Sequence, residues 1–162
     1  MPNIAHNGDG NGLIDQPEER ALVWSHLQAA GYITGSYPGN GTAAPTVAAE
    51  EYGCPITTCP DNGFGQGMVI DRSALQQSAT IATPPAHELL TGRQIPSDVL
   101  AELDRKIDDG TPSAGSMQLG QEGTNWGSTV EVTACQGAGP ANPDIYNMQA
   151  PSDNCAAVFR NF

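Results

Sequence analysis

Apolar positions at helical spacing open the readable part of the chain. Val23, Trp24, Leu27 and Ala30 share one helical face, with Pro17 near the start and Gly31 just past the end, which predicts a helix over 17–30. From Tyr32 to about Gly67 the pattern dissolves into turn residues, including Tyr37-Pro38-Gly39-Asn40-Gly41 and Cys59-Pro60-Asp61-Asn62-Gly63, so a long pinned loop is expected. Met68-Val69-Ile70 is read as a short strand within it. A second helix is predicted from Ser97, taken as the N-cap behind Pro96, to Gly110, with Val99, Leu100, Leu103 and Ile107 as its apolar stripe. Period-two alternation then predicts strands over 129–135 and 156–162, joined by the Gly- and Pro-rich loop 136–154. No internal repeat is visible.

Composition sharpens this into one loop-rich α+β domain covering 1–162. The chain has 19 Gly and 13 Pro and is only 15% charged, which favours turns over regular structure. Six Lys and Arg against 18 Asp and Glu give a formal charge of −12, a poor match to nucleic acid or an anionic membrane surface. Four cysteines allow three pairings. Their local grouping, with no CxxC spacing or adjacent histidine to suggest zinc, favours Cys54–Cys59 and Cys135–Cys155 in an oxidising compartment over four reduced, buried thiols. No stretch approaches the ~20 apolar residues of a membrane helix. The abrupt start, six residues before the loop described next, leads us to expect that the chain derives from a longer exported precursor.

The most specific chemistry lies at the N-terminal end. An EF-hand loop takes oxygens from positions 1, 3, 5, 7, 9 and 12, with glycine at 6 for the turn and a bidentate glutamate at 12. Counting from Asn7 puts Asp9, Asn11, Gly12, Leu13, Asp15 and Glu18 at positions 3, 5, 6, 7, 9 and 12, and Ile14 at the usual aliphatic position. Asn7-Gly8-Asp9-Gly10-Asn11-Gly12 alone would indicate only a tight turn; Ile14, Asp15 and Glu18, followed at once by a helix, point to Ca2+. The expected ligands are Asn7, Asp9, Asn11, the Leu13 carbonyl, Asp15 and Glu18. Three carboxylates with two neutral amides suit a weak extracellular site, binding at roughly 0.1–1 mM. With neither a preceding helix nor a second hand, the ion is expected to stiffen the chain rather than to signal.

Other constellations are weaker. Asp104, Asp108 and Asp109 gather where the second helix ends, a polar turn or a second cation site. His6, His26 and His87 are scattered and are read as surface or half-buried side chains. Trp24 is read as core, and Trp126, beside Gly127, is open to either a core or a binding role. No G-x-S-x-G elbow or comparable nucleophile setting occurs, so the chain is not read as an enzyme.

Several segments together resemble type IV pilin-like and type II secretion pseudopilin-like proteins, which carry a prepilin-type N-terminal helix. They are Met1-Pro2-Asn3, the run Asn7 to Gly12, the run Val23 to Tyr37 with Trp24-Ser25-His26-Leu27 at its start, the run Leu103 to Pro112, and the closing pattern Cys135, Tyr146, Cys155, Ala157 and Phe159. The stretch from Gly41 to Pro96 is unmatched. The resemblance implies a pilin-type head, with an N-terminal helix packed on a small antiparallel sheet, long loops and a disulfide-bounded region 135–155. It further implies a filament subunit in the periplasm or on the surface of a bacterium, joined to other subunits through an apolar helix that these 162 residues lack. That helix would be the sole membrane contact, and the head by itself is expected to be monomeric. The alternative is a calcium-dependent cell-surface binding or adhesion module; a dockerin needs two calcium repeats, and one is present.

Overall fold

A computed structural model describes residues 7–37, 54–78, 82–121, 132–137 and 144–160. Along the chain these form α1 (Pro17–Ala29), β1 (Val69–Ser73), β2 (Ala86–Leu90), α2 (Ser97–Ile107), β3 (Met117–Leu119), α3 (Val132–Cys135) and β4 (Ala157–Arg160). The strands make one antiparallel sheet in the order β1-β2-β4-β3. The chain is thus α+β, with helix and a small antiparallel sheet.

Strand alternation gives the sheet two covered faces. On β4, Val158 joins a core with Ala21 and Trp24 of α1, Val69 and Leu90, whereas Ala157 and Phe159, on either side of it in sequence, face a second core with Leu100, Met117, Leu119 and Tyr146. Successive side chains on a strand point to opposite faces, so one short strand serves both cores. α1 packs on β1, and α2 packs on β3.

The predicted helix 17–30 stands as α1, with Gly31 at φ 80° turning the chain away and Tyr32 N–H reaching back to the Leu27 carbonyl. Its buried face differs from the one expected. Ala21, Leu22, Trp24 and Ser25 are buried, Val23 and Leu27 only partly, and Ala30 is exposed. The difference arises because Arg20, a charged residue, also turns inward to pair with Asp71 on β1.

α2 requires a similar correction. Pro96 occupies the cap position, and the Ser97 hydroxyl donates instead to the Asn147 carbonyl at 2.9 Å. Val99 and Ile107 are 41% and 54% exposed, while Ala101 and Asp104 are buried beside Leu100. A carboxylate with a buried partner displaced part of the apolar stripe.

The expected strand at 68–70 is the beginning of the longer β1, and that at 156–162 is β4; Phe162 and its neighbour Asn161 lie outside the described residues. The other expected strand fails. Residues 129–131 lie outside the described residues, and Val132–Cys135 is a helical turn, not a strand. Its backbone is committed elsewhere: Gln136 N–H bonds the Val132 carbonyl, and Asn147 donates from its backbone to Cys135 and from its side chain to Ala134. The strands that pair with β4 are β2 and β3.

Both disulfides form, Cys54–Cys59 and Cys135–Cys155. The first closes a turn within the loop 54–67, where Gly67 lies so near that an added Cβ would meet the Cys54 carbonyl oxygen at 2.5 Å. Asn62 ties this loop to the end of β2 by donating to the Thr91 and Arg93 carbonyls, each at 3.0 Å. The second joins the end of α3 to the residue two before β4, inside the second core.

Candidate metal centre

The residues from Asn7 to Gly12 are exposed and turn sharply, with Gly10 and Gly12 at φ 82° and 81°, a region that disfavours any residue with a Cβ. Two side chains shape the turn. Asp9 Oδ1 accepts the Asn11 N–H at 2.9 Å, and Asn11 Oδ1 accepts the Leu13 N–H at 2.7 Å. Such Asx turns curl the chain at alternate positions, the ones from which an EF-hand loop draws its oxygens. Leu13 and Asp15 are half-buried where the loop meets the body, and Glu18 stands exposed in the first turn of α1.

The loop's far end is fastened to the sheet through Ile14 and Asp15. Arg72 on β1 donates its N–H to the Ile14 carbonyl at 2.7 Å, and His87 on β2 accepts the Ile14 N–H on Nε2 at 3.1 Å. Arg20 reaches the Asp15 carbonyl at 2.9 Å while its Nε pairs with Asp71. Arg72 and His87 are opposite each other in the β1–β2 register, so one point on the sheet grips both backbone groups of Ile14.

Glu19, beside the expected ligand Glu18, is buried against the loop. Its Oε1 accepts the Asp9 N–H at 3.0 Å, and its Oε2 accepts those of Asp15 and Gln16, both at 3.2 Å. Burial alone would raise the Glu19 carboxyl above its ordinary range, but these three N–H donors and the Arg20 charge outweigh it and hold the group lower.

The donor set suits a hard cation that takes side-chain and carbonyl oxygens. Asn7, Asp9, Asn11, the Leu13 carbonyl and Glu18 would supply it, with Asp15 at a position that commonly acts through water. Asp9, Asp15 and Glu18 do not form a group of three mutually close acids. Position 9 does not require it.

Among the described residues the acids that do converge are Asp104, Asp108 and Asp109, with oxygens within 4.8 Å of one another. Protein donors already serve each of them. Asp104 is fully buried and accepts from the Tyr146 hydroxyl at 2.7 Å and from Gly110 N–H at 3.2 Å. Asp108 accepts from Met117 N–H at 3.0 Å and from both the N–H and hydroxyl of Ser116, while Asp109 accepts the Thr111 N–H at 2.7 Å. Burial raises the Asp104 carboxyl, aided by the neighbouring Asp109 and Asp108, whereas the Met117 N–H leads the lowering of Asp108. Burial and the Asp104 carboxylate together push the Tyr146 hydroxyl upward. The cluster works as a polar clasp joining the end of α2 to β3 and to the segment bounded by Cys135–Cys155.

Sequence reasoning missed the parts played by Glu19, Arg20 and Asp71, and it read His87 correctly as half-buried without its bond to Ile14. Glu19 had a local signal, an acid three residues after the residue that precedes the helix. The partners of the other three lie far away in sequence and left no pattern. No family model, curated protein or solved structure matches this chain.

Proposed function

We propose that this chain is the head domain of a filament subunit of the type IV pilus or type II secretion pseudopilus kind, a structural rather than catalytic part, held in shape outside the cytoplasm by calcium and two disulfides. The observation that carries this reading is the fastening of the loop. Ile14 and Asp15 are bonded to the sheet through Arg72, His87 and Arg20, while Glu18 and Glu19 begin the helix that lies on that sheet. A cation held between Asn7 and Glu18 would fix the direction in which the chain approaches α1. In a subunit joined to its neighbours through an N-terminal helix, that direction sets how the head sits on the filament.

The resemblance of the runs Asn7 to Gly12 and Val23 to Tyr37 to pilin-like proteins supplies the filament. The helix on a small antiparallel sheet and the Cys135–Cys155 closure are consistent with it, and the disulfides favour an exported location. Among the described residues no helix is long and apolar enough to cross a membrane; in this reading attachment and polymerisation belong to the apolar helix that the resemblance implies.

The test is to read the coding sequence upstream of Met1 and to probe sheared surface filaments for the protein. An apolar helix behind a prepilin peptidase site, with the protein in the filament fraction, is expected; an ordinary signal peptide and a freely soluble product would overturn the assignment.

One observation favours the alternative, a calcium-dependent surface binding module. A groove of about 750 Å3 runs between α2 and residues 145–150, with Arg105, Tyr146 and the exposed Ile145 and Met148 on its walls. Binding of an extracellular ligand by this groove, with no filament association, would select that reading.

A further inference from the structure

Two adjacent glutamates open α1, and they are placed differently. Successive helical residues point about 100° apart, so the two side chains leave the helix in different directions. Glu19 faces back into the loop and is 8% exposed, while Glu18 remains at the surface. The two oxygens of Glu19 address opposite ends of the loop: Oε1 takes the N–H of Asp9, ten residues back, and Oε2 takes those of Asp15 and Gln16.

We propose that Glu19 is a positioning residue for the metal loop, gathering its two ends before a cation arrives and leaving Glu18 free to reach the ion. This rests on the calcium reading above. Bonds from backbone N–H groups to a carboxylate are stronger than neutral ones, and a carboxylate at a helix N-terminus is favoured by the helix dipole. An oxygen shell assembled beforehand spares the ion much of the ordering cost of binding, which matters most where neutral Asn7 and Asn11 replace carboxylates. Gly8 reports on the same contact from the other side, because a Cβ there would stand 2.5 Å from Glu19 Oε1. Gly8 is not at positive φ, so alanine would displace the carboxylate without straining the backbone.

The experiment compares the wild-type chain with Glu19→Gln, Gly8→Ala and Glu18→Gln, measuring amide exchange in chelator and calcium affinity by titration calorimetry. In chelator the amides of Asp9, Asp15 and Gln16 should exchange slowly in wild type and in Glu18→Gln, and rapidly in Glu19→Gln and Gly8→Ala. Calcium should bind roughly tenfold more weakly to the latter two, a loss of about 1.4 kcal/mol. A general loss of stability would not confine faster exchange to these three amides. Free exchange of all three in calcium-free wild type, or wild-type affinity in Glu19→Gln, would overturn the positioning role alone. Failure of wild type to bind at millimolar calcium would remove the metal reading itself.

Discussion

The guanidinium of Arg20 on α1 lies 2.6 Å from the carboxylate of Asp71 on β1, and their side chains are only 6% and 1% exposed. This pair joins the helix to the sheet, and the same Arg20 also holds the Asp15 carbonyl in the 7–18 loop. Removing either partner strands the other charge in the core. Arg20→Met and Asp71→Ala should therefore each cost about 3–5 kcal/mol, whereas a double replacement by apolar residues of similar volume should recover much of that loss. Urea unfolding of the four proteins in a double-mutant cycle measures both the costs and the coupling.

Calcium should raise the melting temperature. A ligand at a hundredfold excess over its dissociation constant adds about 2.7 kcal/mol, or about 5–10 °C for a chain of this size. Glu18→Ala should abolish the calcium-dependent part of the shift. Thermal melts with calcium and with chelator decide the matter, and identical curves for wild type would refute a structural ion.

The two disulfides should differ in worth. Cys135–Cys155 closes the longer loop, with a sequence separation of 20 against 5, and replacing both of its cysteines by alanine should cost about 3 kcal/mol. The corresponding double variant at Cys54 and Cys59 should lose about 2 kcal/mol from chain closure. Its effect should centre on the 54–67 loop, visible as faster amide exchange at Gly67 and Met68.

Acid should unfold the protein partly through Asp108. Its carboxyl is held below the ordinary value by the Met117 and Ser116 donors, so its contribution is present above the unfolded pKa of 3.8 and is lost as pH falls toward the folded one. Asp104 acts in the opposite sense: burial raises its pKa, so its contribution is present below 3.8 and is lost as pH rises through the folded value. Asp108→Asn should flatten the acid limb of stability and Asp104→Asn should steepen it, as read from denaturant melts between neutral pH and about pH 3.

Much of the local organisation was legible in the chain. Pro17 and Gly31 marked the ends of α1, a run of punctuators marked the 54–67 loop, and the spacing of four cysteines marked two neighbour bridges, because each signal acts over a few residues. The strands Ala86–Leu90 and Met117–Leu119 were not legible. Each is short, and β3 is buried along its whole length, so neither displays clean alternation. The apparent strand ending at Cys135 failed for the converse reason: its alternation was real, but the bridge to Cys155 and the bonds from Asn147 fixed a helical turn.

The same division runs through the candidate metal loop. The sequence by itself determined where the loop lies, which residues offer oxygens and where its glycines must turn, since backbone conformation and donor chemistry belong to each residue. Only the tertiary structure decided which glutamate faces inward and what holds the far end. Glu18 and Glu19 are chemically identical, and the packing of α1 on the sheet, through Ala21, Trp24 and the Arg20–Asp71 pair, distinguishes them. Ile14 is secured by Arg72 and His87, which the pairing of β1 with β2 sets opposite each other and the second of which lies 73 residues from Ile14. Long-range pairing of this kind leaves no periodic trace in the chain.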